Sequence, residues 1–193
     1  MISENRLAAA RAGRHRIPET PLERASRVVA VAVDGGELLA EAGGLLQHLA
    51  ATGIPLEVLV AEGATRQAFA RCGLGAVAVH RLGLRRPLPL GSEGDLLAAL
   101  SELIGFDPEP GLGILAPAEL AGRPDRDVVG HAAAMAARVY GAELAHTAPH
   151  AAGAPGYALA RGEAAHKRYA VGAAAAAVET VLATVRVPAP RTG

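Results

Sequence analysis

The stretch Val28–Leu46, "VVAVAVDGGELLAEAGGLL", decides the fold of this chain. It begins with a continuous run of valine and alanine, which is typical of a strand buried on both faces of a sheet. Leucine and alanine then recur at the spacing of a helix, and the turn between the two elements is "VDGGE". A strand, a tight turn and a helix form the frame on which α/β enzymes place reactive groups. This turn carries few such groups, and the contrast is the question that the sequence raises.

The same alternation continues along the chain. After Arg27–Val33, further strands are predicted over Pro55–Gly63, Ala76–Leu82 and Leu112–Pro117. Helices are predicted over Glu37–Gly53, Thr65–Gly73, Glu93–Phe106, Pro124–Gly141 and Gly162–Leu182. Strands that alternate with helices favour a parallel sheet covered on both faces. We therefore predict an α/β fold, a Rossmann-like three-layer sandwich with a mainly parallel sheet.

Periodicity within two of these helices predicts how they pack. Leu38, Leu39, Ala42, Leu45, Leu46 and Leu49 make the apolar stripe of the first helix. Val128, Ala132, Met135 and Val139 make that of the helix over Pro124–Gly141. The pair Gly43 and Gly44 costs the first helix stability, so we expect a neighbouring element to approach closely there.

The chain of 193 residues is long enough for one domain with a substantial core. Residues 1–26 are polar and contain Pro18 and Pro21, and they are expected to form an N-terminal extension. Residues 27–187 are expected to form the α/β domain. Residues 188–193 are a proline-containing tail.

Charge and composition exclude several classes of protein. Lys+Arg and Asp+Glu each number 19, so the net charge of zero argues against a nucleic-acid-binding protein. A single cysteine, Cys72, forms neither an internal disulfide nor a zinc ribbon. No apolar run reaches the roughly 18–20 residues that span a membrane, and the N-terminus lacks the apolar core of a signal peptide. We expect a cytoplasmic protein that acts without a membrane.

Two loops are expected to meet at the ligand-binding end of the sheet. In parallel α/β sheets, ligands bind at the carboxyl ends of the strands. The loops that follow the first strand and a later strand are Val33–Glu37 and Ala116–Asp127. Candidate functional residues are therefore sought in these two loops.

Both loops resemble motifs of a known family. "AVDGGELLAEAGG" resembles a strand–turn–helix motif of the form A-H-P-D-D-E-x-L-G-x-G-G, and "GRPDRDVVG" resembles a second motif, H-P-D-H-x-x-V-G. Between and after them, "VLVAEGA", "RLGLRRPLPL" and "KRYAVGAAAAAVET" resemble further family segments, in the same order. On these residues the chain resembles the LmbE-like family, also called PIG-L or N-acetylglucosaminyl-phosphatidylinositol de-N-acetylase-like proteins.

The resemblance implies a zinc-dependent hydrolase that removes an N-acetyl group from an amino sugar, but the chain departs from the motifs at the active groups. Val33 stands at a zinc-binding His, Gly35 at the general base and Gly36 at a zinc-binding Asp. Arg123 stands at the first His of the second motif, and Arg126 at its zinc-binding His. Since catalytic zinc needs about three ligands from His, Asp, Glu or Cys, we expect no metal and no other cofactor.

Two functions of different classes follow. The first is a degenerate, non-catalytic family member, a pseudo-deacetylase that acts as a binding, regulatory or structural partner of an active paralogue, of a biosynthetic enzyme or of itself in a homo-oligomer. The alternative is an N-deacetylase or amidase that uses metal-free chemistry or a rebuilt metal site. The acids available for such a site are Asp34, Glu37, Asp125 and Asp127, and His131 stands at i+4 from Asp127 on a helix, a spacing at which an Asp–His pair can bind metal.

Five residues of the two loops are predicted to line the old cleft: Asp34, Glu37, Arg123, Asp125 and Arg126. Arginines at a helix N-terminus suit a small polar or anionic ligand. Acidic groups left without a metal would repel one another, so we expect Arg126, with Arg123 beside it, to pair with Glu37, Asp34 or Asp125. The open alternative is that both arginines point to solvent.

Overall fold

The computed structural model describes residues 21–63, 66–89, 91–106, 108, 110–149 and the two short strands at 157–158 and 178–183. Its strands are β1 (Arg27–Asp34), β2 (Leu56–Glu62), β3 (Ala78–Arg81), β4 (Leu112–Pro117), β5 (Glu143–Ala148), β6 (Tyr157–Ala158) and β7 (Val178–Ala183). Its helices are α1 (Gly35–Ala51), α2 (Arg66–Arg71), α3 (Ser92–Ile104) and α4 (Pro124–Tyr140). A 3-10 turn, Pro21–Arg24, precedes β1.

The strands form one mixed sheet in the order β3-β2-β1-β4-β5-β7-β6. The first five in this order run parallel, and the last two add in an antiparallel direction. The predicted neighbourhood of the first four strands is confirmed. The strand order reverses between β1 and β4, which is the place where open α/β sheets form a ligand-binding crevice.

The core lies on both faces of the sheet, as the predicted three-layer sandwich requires. Along β1, Val28, Ala30 and Ala32 pack with α1, whereas Val29, Val31 and Val33 pack on the opposite face with α3 and α4. Alternate residues of a strand point to opposite faces, so a run apolar at every position serves two layers. The α1 stripe is buried as predicted.

Gly43 confirms the close approach that its position predicts. A Cβ atom at this residue would lie 3.2 Å from the Sγ atom of Cys72, which follows α2. The glycine therefore lets α1 approach the segment after α2, and the packing offsets the cost of glycine within a helix.

The predicted apolar stripe of α4 needs correction. Met135 and Val139 are exposed on α4, and its buried face is formed instead by Val129, Ala132, Ala133, Ala136 and Ala137. Small alanines allow α4 to lie close to the sheet. This close packing buries the alanine face of α4 and leaves the larger Met135 and Val139 exposed.

The predicted helix Gly162–Leu182 is wrong at its end, because Val178–Ala183 is strand β7. Val178, Thr180 and Val181 are β-branched, and β7 pairs with β5 and so protects its edge. Residues 162–177 of that prediction lie outside the described residues. Strand β5 itself was not predicted; alanine and histidine favour strands weakly, and pairing with β4 decides its conformation.

The core also extends before the predicted domain start at Arg27. Leu22 is fully buried and packs with Val28 in the core. The remaining division, 27–187 and 188–193, stays a prediction. No helix in the described part of the chain is long and apolar enough to cross a membrane.

Candidate functional site

The candidate site lies where the carboxyl ends of β1 and β4 meet, at the reversal of strand order. Helix α1 starts directly after β1, and α4 starts after β4 and the loop that ends at Arg123. The two helices cover opposite faces of the sheet, so their first turns face each other across this end. The predicted meeting of the two loops is therefore confirmed.

Arg126 is the centre of the site. It lies in the first turn of α4, on the same side as the buried alanines, and its side chain has no exposed surface. Its Nε donates to the carbonyl oxygen of Ala118 at 3.0 Å, and its Nη2 donates to the carbonyl oxygen of Thr147 at 3.0 Å. The remaining donors bond two glutamates of α1.

Glu41 receives the guanidinium through two parallel bonds. Arg126 Nη1 lies 2.6 Å from Glu41 Oε1, and Nη2 lies 3.0 Å from Glu41 Oε2. The hydroxyl of Thr147 donates to the second of these oxygens at 2.9 Å. Both oxygens of this buried carboxylate are thus bonded, and the fork geometry is the strongest arrangement open to an arginine and a carboxylate.

Glu37 connects the buried arginine to the surface. Its Oε1 accepts a hydrogen bond from Arg126 Nη1, and its Oε2 accepts one from Arg123 Nη2 at 2.9 Å. Arg86 Nη2 lies 3.6 Å from the same Oε2, and Arg86 Nε lies 3.2 Å from Glu62 Oε2. Arg123 and Arg86 are 46% and 36% exposed, so this outer layer is open to solvent. The predicted pairing of Arg126 and Arg123 with an acid is confirmed at Glu37.

The acids keep the guanidinium charged despite its burial. Burial alone would lower the pKa of Arg126, because it removes water from the charged form. The hydrogen bonds and negative charge of Glu41, and then those of Glu37, outweigh this effect and raise the pKa above its ordinary value. Arg126 is therefore a fixed cation inside the protein.

Asp34 and Asp125 are near the site but pair with backbone groups. Asp34 is the N-cap of α1, and its Oδ1 accepts from the amides of Gly36 at 2.8 Å and Glu37 at 3.1 Å. Asp125 Oδ1 accepts from the amide of Leu88 at 2.8 Å. Of the three acids named as possible partners of the arginines, Glu37 is the one that pairs with them among the contacts of the described residues.

The backbone around Asp34 requires glycine. Gly63 has φ of +78°, and a Cβ atom there would lie 2.1 Å from Asp34 Oδ2. A Cβ atom at Gly36 would lie 3.0 Å from Asp34 Oδ1. The turn "VDGG" is thus shaped around the carboxylate of Asp34, which closes the end of β1 onto α1.

Within the described residues, no group of three or more His, Cys, Asp and Glu side chains is arranged to hold a metal ion. Asp127 Oδ1 is buried and has no hydrogen-bond partner among these residues, whereas His131, one turn later on α4, is exposed. The structure does not bring Asp127 and His131 together with a third ligand.

Sequence reasoning missed Glu41, Thr147 and Arg86. A signal for Glu41 was available: Glu37 and Glu41 stand at i and i+4 of one helix, where like charges repel. Two acids one turn apart on the same side of a helix indicate that a cation lies close to both of them. Thr147 gives no such signal, because it reaches the site through the unpredicted strand β5.

No protein-family model and no curated protein matches the sequence. Solved structures are similar in fold. N,N'-diacetylchitobiose deacetylase from Pyrococcus horikoshii is 14% identical with a TM-score of 0.59, over 88% of this chain and 80% of that one. A triple mutant of a deacetylase involved in teicoplanin biosynthesis is 15% identical with a TM-score of 0.57, over 75% of this chain and 80% of that one.

A protein of different activity has a similar fold. The 4-carboxy-2-hydroxymuconate hydratase GalB from Pseudomonas putida KT2440 is 15% identical with a TM-score of 0.51, over 65% of this chain and 67% of that one. Identities this low establish the architecture and leave the chemistry to the site itself. The chain therefore has the fold of the LmbE-like, or PIG-L-type, deacetylases, as its sequence motifs predicted.

Proposed function

We propose that this chain is a non-catalytic protein of the deacetylase fold that acts by binding, as a regulatory or structural partner. One observation carries the proposal: the buried Arg126 guanidinium donates to Glu37 and Glu41 at the crevice between β1 and β4. By the motif resemblance, position 126 belongs to a zinc-binding His. A permanent cation at that position takes the charge-balancing role of a metal ion.

The donor set does not fit zinc. Valine and glycine at positions 33, 35 and 36 offer no ligand, and the carboxylates of the part-buried Glu37 and the buried Glu41 already bind a guanidinium. A second cation at Glu37 and Glu41 would be repelled by Arg126 at close range in a poorly solvated site. The proposed loss of the metal site rests on this chemistry.

The general base of the resembled mechanism is also missing. Gly35 stands at its position and carries no side chain. The carboxylates of Glu37 and Glu41 lie in the described crevice, and both already accept hydrogen bonds from Arg126. Activation of a water molecule requires a carboxylate free to accept a proton.

Ligand binding would fall to the outer layer of the site. Arg126 donates all five of its N–H groups to protein acceptors, so it has none for an anion. Arg123 is half-exposed and uses one N–H group on Glu37, which leaves it as the candidate contact for a small polar or anionic ligand. Asp34 and Asp125 would shape the rim of that site.

The partner that we propose is an active deacetylase or biosynthetic enzyme, or a second copy of this chain. The cytoplasmic location and the absence of nucleic-acid binding stay predictions. The absence of nucleic-acid binding rests on the balanced charge of the chain.

The alternative, an N-deacetylase with a rebuilt metal site, is favoured by one observation. Asp127 Oδ1 is buried without a hydrogen-bond partner among the described residues, and such an oxygen invites a cation or a water molecule. His131 follows at i+4 on the same helix. The proposal and the alternative differ in whether metal is bound.

Metal analysis joined to an activity assay tests the proposal. Purified protein would be dialysed, analysed for zinc, manganese and iron, and then assayed for acetate release from N-acetylglucosamine and N,N'-diacetylchitobiose with each metal added. We expect less than a tenth of an equivalent of metal, roughly, and no acetate release above a heat-treated control. Near-stoichiometric metal that is lost in Asp127→Ala, together with acetate release, would establish the alternative.

A further inference from the structure

The acceptors around Arg126 form a complete receptor for one planar cation. The acceptor set is defined here as Glu37 Oε1, both carboxylate oxygens of Glu41 and the carbonyl oxygens of Ala118 and Thr147. A guanidinium has five N–H donors in a fixed plane, and each meets one member of this set. The match in both number and direction defines a site for this chemical group.

The acceptor set is held in place by bonds that do not involve Arg126. The amide of Ala118 donates to the carbonyl oxygen of Thr147 at 2.7 Å, which fixes the two carbonyl groups relative to each other. The hydroxyl of Thr147 donates to Glu41 at 2.9 Å and orients that carboxylate. Strand β5 and the residue after β4 therefore position the acceptors through bonds of their own, and preorganised acceptors bind with less entropic cost.

The spacing of the acceptors fits a guanidinium better than a metal ion. They are shared among the three nitrogen atoms of the planar guanidinium, and the bonds to Ala118, Glu41 and Thr147 are 2.6–3.0 Å long. A metal ion needs its ligands around a single point at about 2.0–2.6 Å.

We infer that this acceptor set is a binding site for guanidinium-type cations, which the chain fills with its own Arg126 from α4. The inference is independent of whether the protein is catalytic, since it concerns only the affinity of the acceptors. Removal of the side chain should open the site to a free ligand of the same chemistry. The intact chain should show no affinity for that ligand at this site.

The experiment is chemical rescue of Arg126→Ala. Ethylguanidinium supplies the atoms that this substitution removes. At a concentration tenfold above its Kd it should raise the Tm of the variant by about 3–6 °C. Measurements at about 10 mM keep the denaturing action of guanidinium salts, which grows over molar concentrations, small. The wild-type protein should show no rise.

Two matched ligands separate charge from shape. Ethylurea has nearly the same outline and no charge, and ethylammonium has the charge without the planar fork. We expect neither to raise the Tm of Arg126→Ala by more than a third of the ethylguanidinium effect. An equal rise with ethylammonium, or with zinc or manganese chloride, would overturn the inference of a guanidinium site.

A second variant keeps the test decisive if Arg126→Ala does not fold. In Glu37→Gln/Arg126→Ala one of the two unpaired carboxylates is neutral, while the fork of Glu41 remains. Ethylguanidinium should raise the Tm of this variant as well, and the rise should disappear when Glu41→Gln is added. Absence of a rise in both variants, and of ligand-induced folding in the first, would refute the inference.

Discussion

Two ion-pair clusters stand at opposite ends of the parallel strands, and they differ in burial. The Arg126 cluster comprises Arg126, Glu37, Glu41 and Thr147 at the carboxyl ends. The Arg27 cluster comprises Arg27, Glu57 and His80 at the amino end of β1 and on the neighbouring strands. Arg126 has no exposed surface, whereas Arg27 and Glu57 are 29% and 26% exposed. The two clusters use the same pairing of arginine with glutamate.

The difference in burial sets the energetic consequence of each cluster. Solvent screens the Arg27 cluster, and such pairs contribute about 0–1 kcal/mol. Arg126 and Glu41 have lost nearly all of their water, so each depends on its protein partners, and removal of one partner costs about 3–5 kcal/mol. The stability of the fold therefore depends on the buried cluster at the carboxyl end of the sheet. Four substitutions test how far the two clusters differ.

Arg126→Ala should give the largest effect. It leaves the carboxylate of Glu41 buried without a counter-charge and should lower the free energy of unfolding by about 3–5 kcal/mol. Urea denaturation of the wild type and of Arg126→Ala, measured side by side, would check this loss. Arg138→Ala, on the exposed side of α4, is the matched control. A loss below about 1 kcal/mol would remove the contrast between the clusters.

This contribution should not depend on pH in the neutral range. A pKa raised above its unfolded value gives stabilisation that is complete below the unfolded value and is lost only as pH rises through the folded one. For Arg126 both lie at strongly alkaline pH. Arg126 therefore does not titrate between about pH 6 and 9. Its titration should add no pH dependence to the difference in free energy of unfolding between the wild type and Arg126→Ala in that range.

Thr147→Val should have the next largest effect. The substitution keeps the shape of the side chain and the carbonyl oxygen that accepts from Ala118 and Arg126. It removes the hydroxyl that donates to Glu41. A hydrogen bond to a charged group contributes about 1.5–3 kcal/mol, and we expect a loss of stability in this range. Thr52→Val removes an exposed hydroxyl bond to the carbonyl of Leu49 and should cost less than half as much. Equal losses in the two variants would show that burial of Glu41 is unimportant.

Arg27→Ala sharpens the comparison from the other end of the sheet. We expect a loss of about 1 kcal/mol or less, which shrinks further at about 1 M salt. Arg126→Ala should keep most of its effect under the same salt, because buried charges are screened much less. A loss of several kcal/mol in Arg27→Ala that does not change with salt would show that both clusters stabilise the fold to a similar degree.

Arg123→Ala should have the smallest effect on stability, about 0.5 kcal/mol or less. Its side chain is 46% exposed, and Glu37 keeps its bond to Arg126 when it is removed. Thermal denaturation detects the small shift. A loss close to that of Arg126→Ala would mean that the outer layer, not the buried arginine, neutralises Glu37.

The sequence predicts the frame of this molecule well because the frame depends on local patterns. The valine run of β1 and the leucine stripe of α1 specify burial on the correct faces, and both agree with the structure. The pairing of Arg126 with Glu37 was also predictable, since both positions follow parallel strands that end together. These inferences need only periodicity and the rules of parallel sheets.

The sequence predicts less where alanine replaces larger side chains and where distant segments meet. On α4 the alanines, not Met135 and Val139, face the core, and hydrophobicity alone points to the wrong side. Strand β5 forms because β4 and β7 pair with it, which is a long-range cause. Thr147 belongs to that strand, so the partner of Glu41 could not be found before the sheet was assembled.

The tight fit of Asp34 against Gly36 and Gly63 constrains how this chain can evolve. A metal-binding Asp at position 36 would first need the carboxylate of Asp34 to move, because the new Cβ atom would lie 3.0 Å from Asp34 Oδ1. A His at position 126 would in turn remove the cation on which Glu37 and Glu41 depend. Both substitutions are therefore expected to destabilise the fold, the first through the contact with Asp34 and the second through the loss of a buried charge. Sequence drift is expected to be freer at exposed positions, where a substitution usually changes stability by about 0.5 kcal/mol or less.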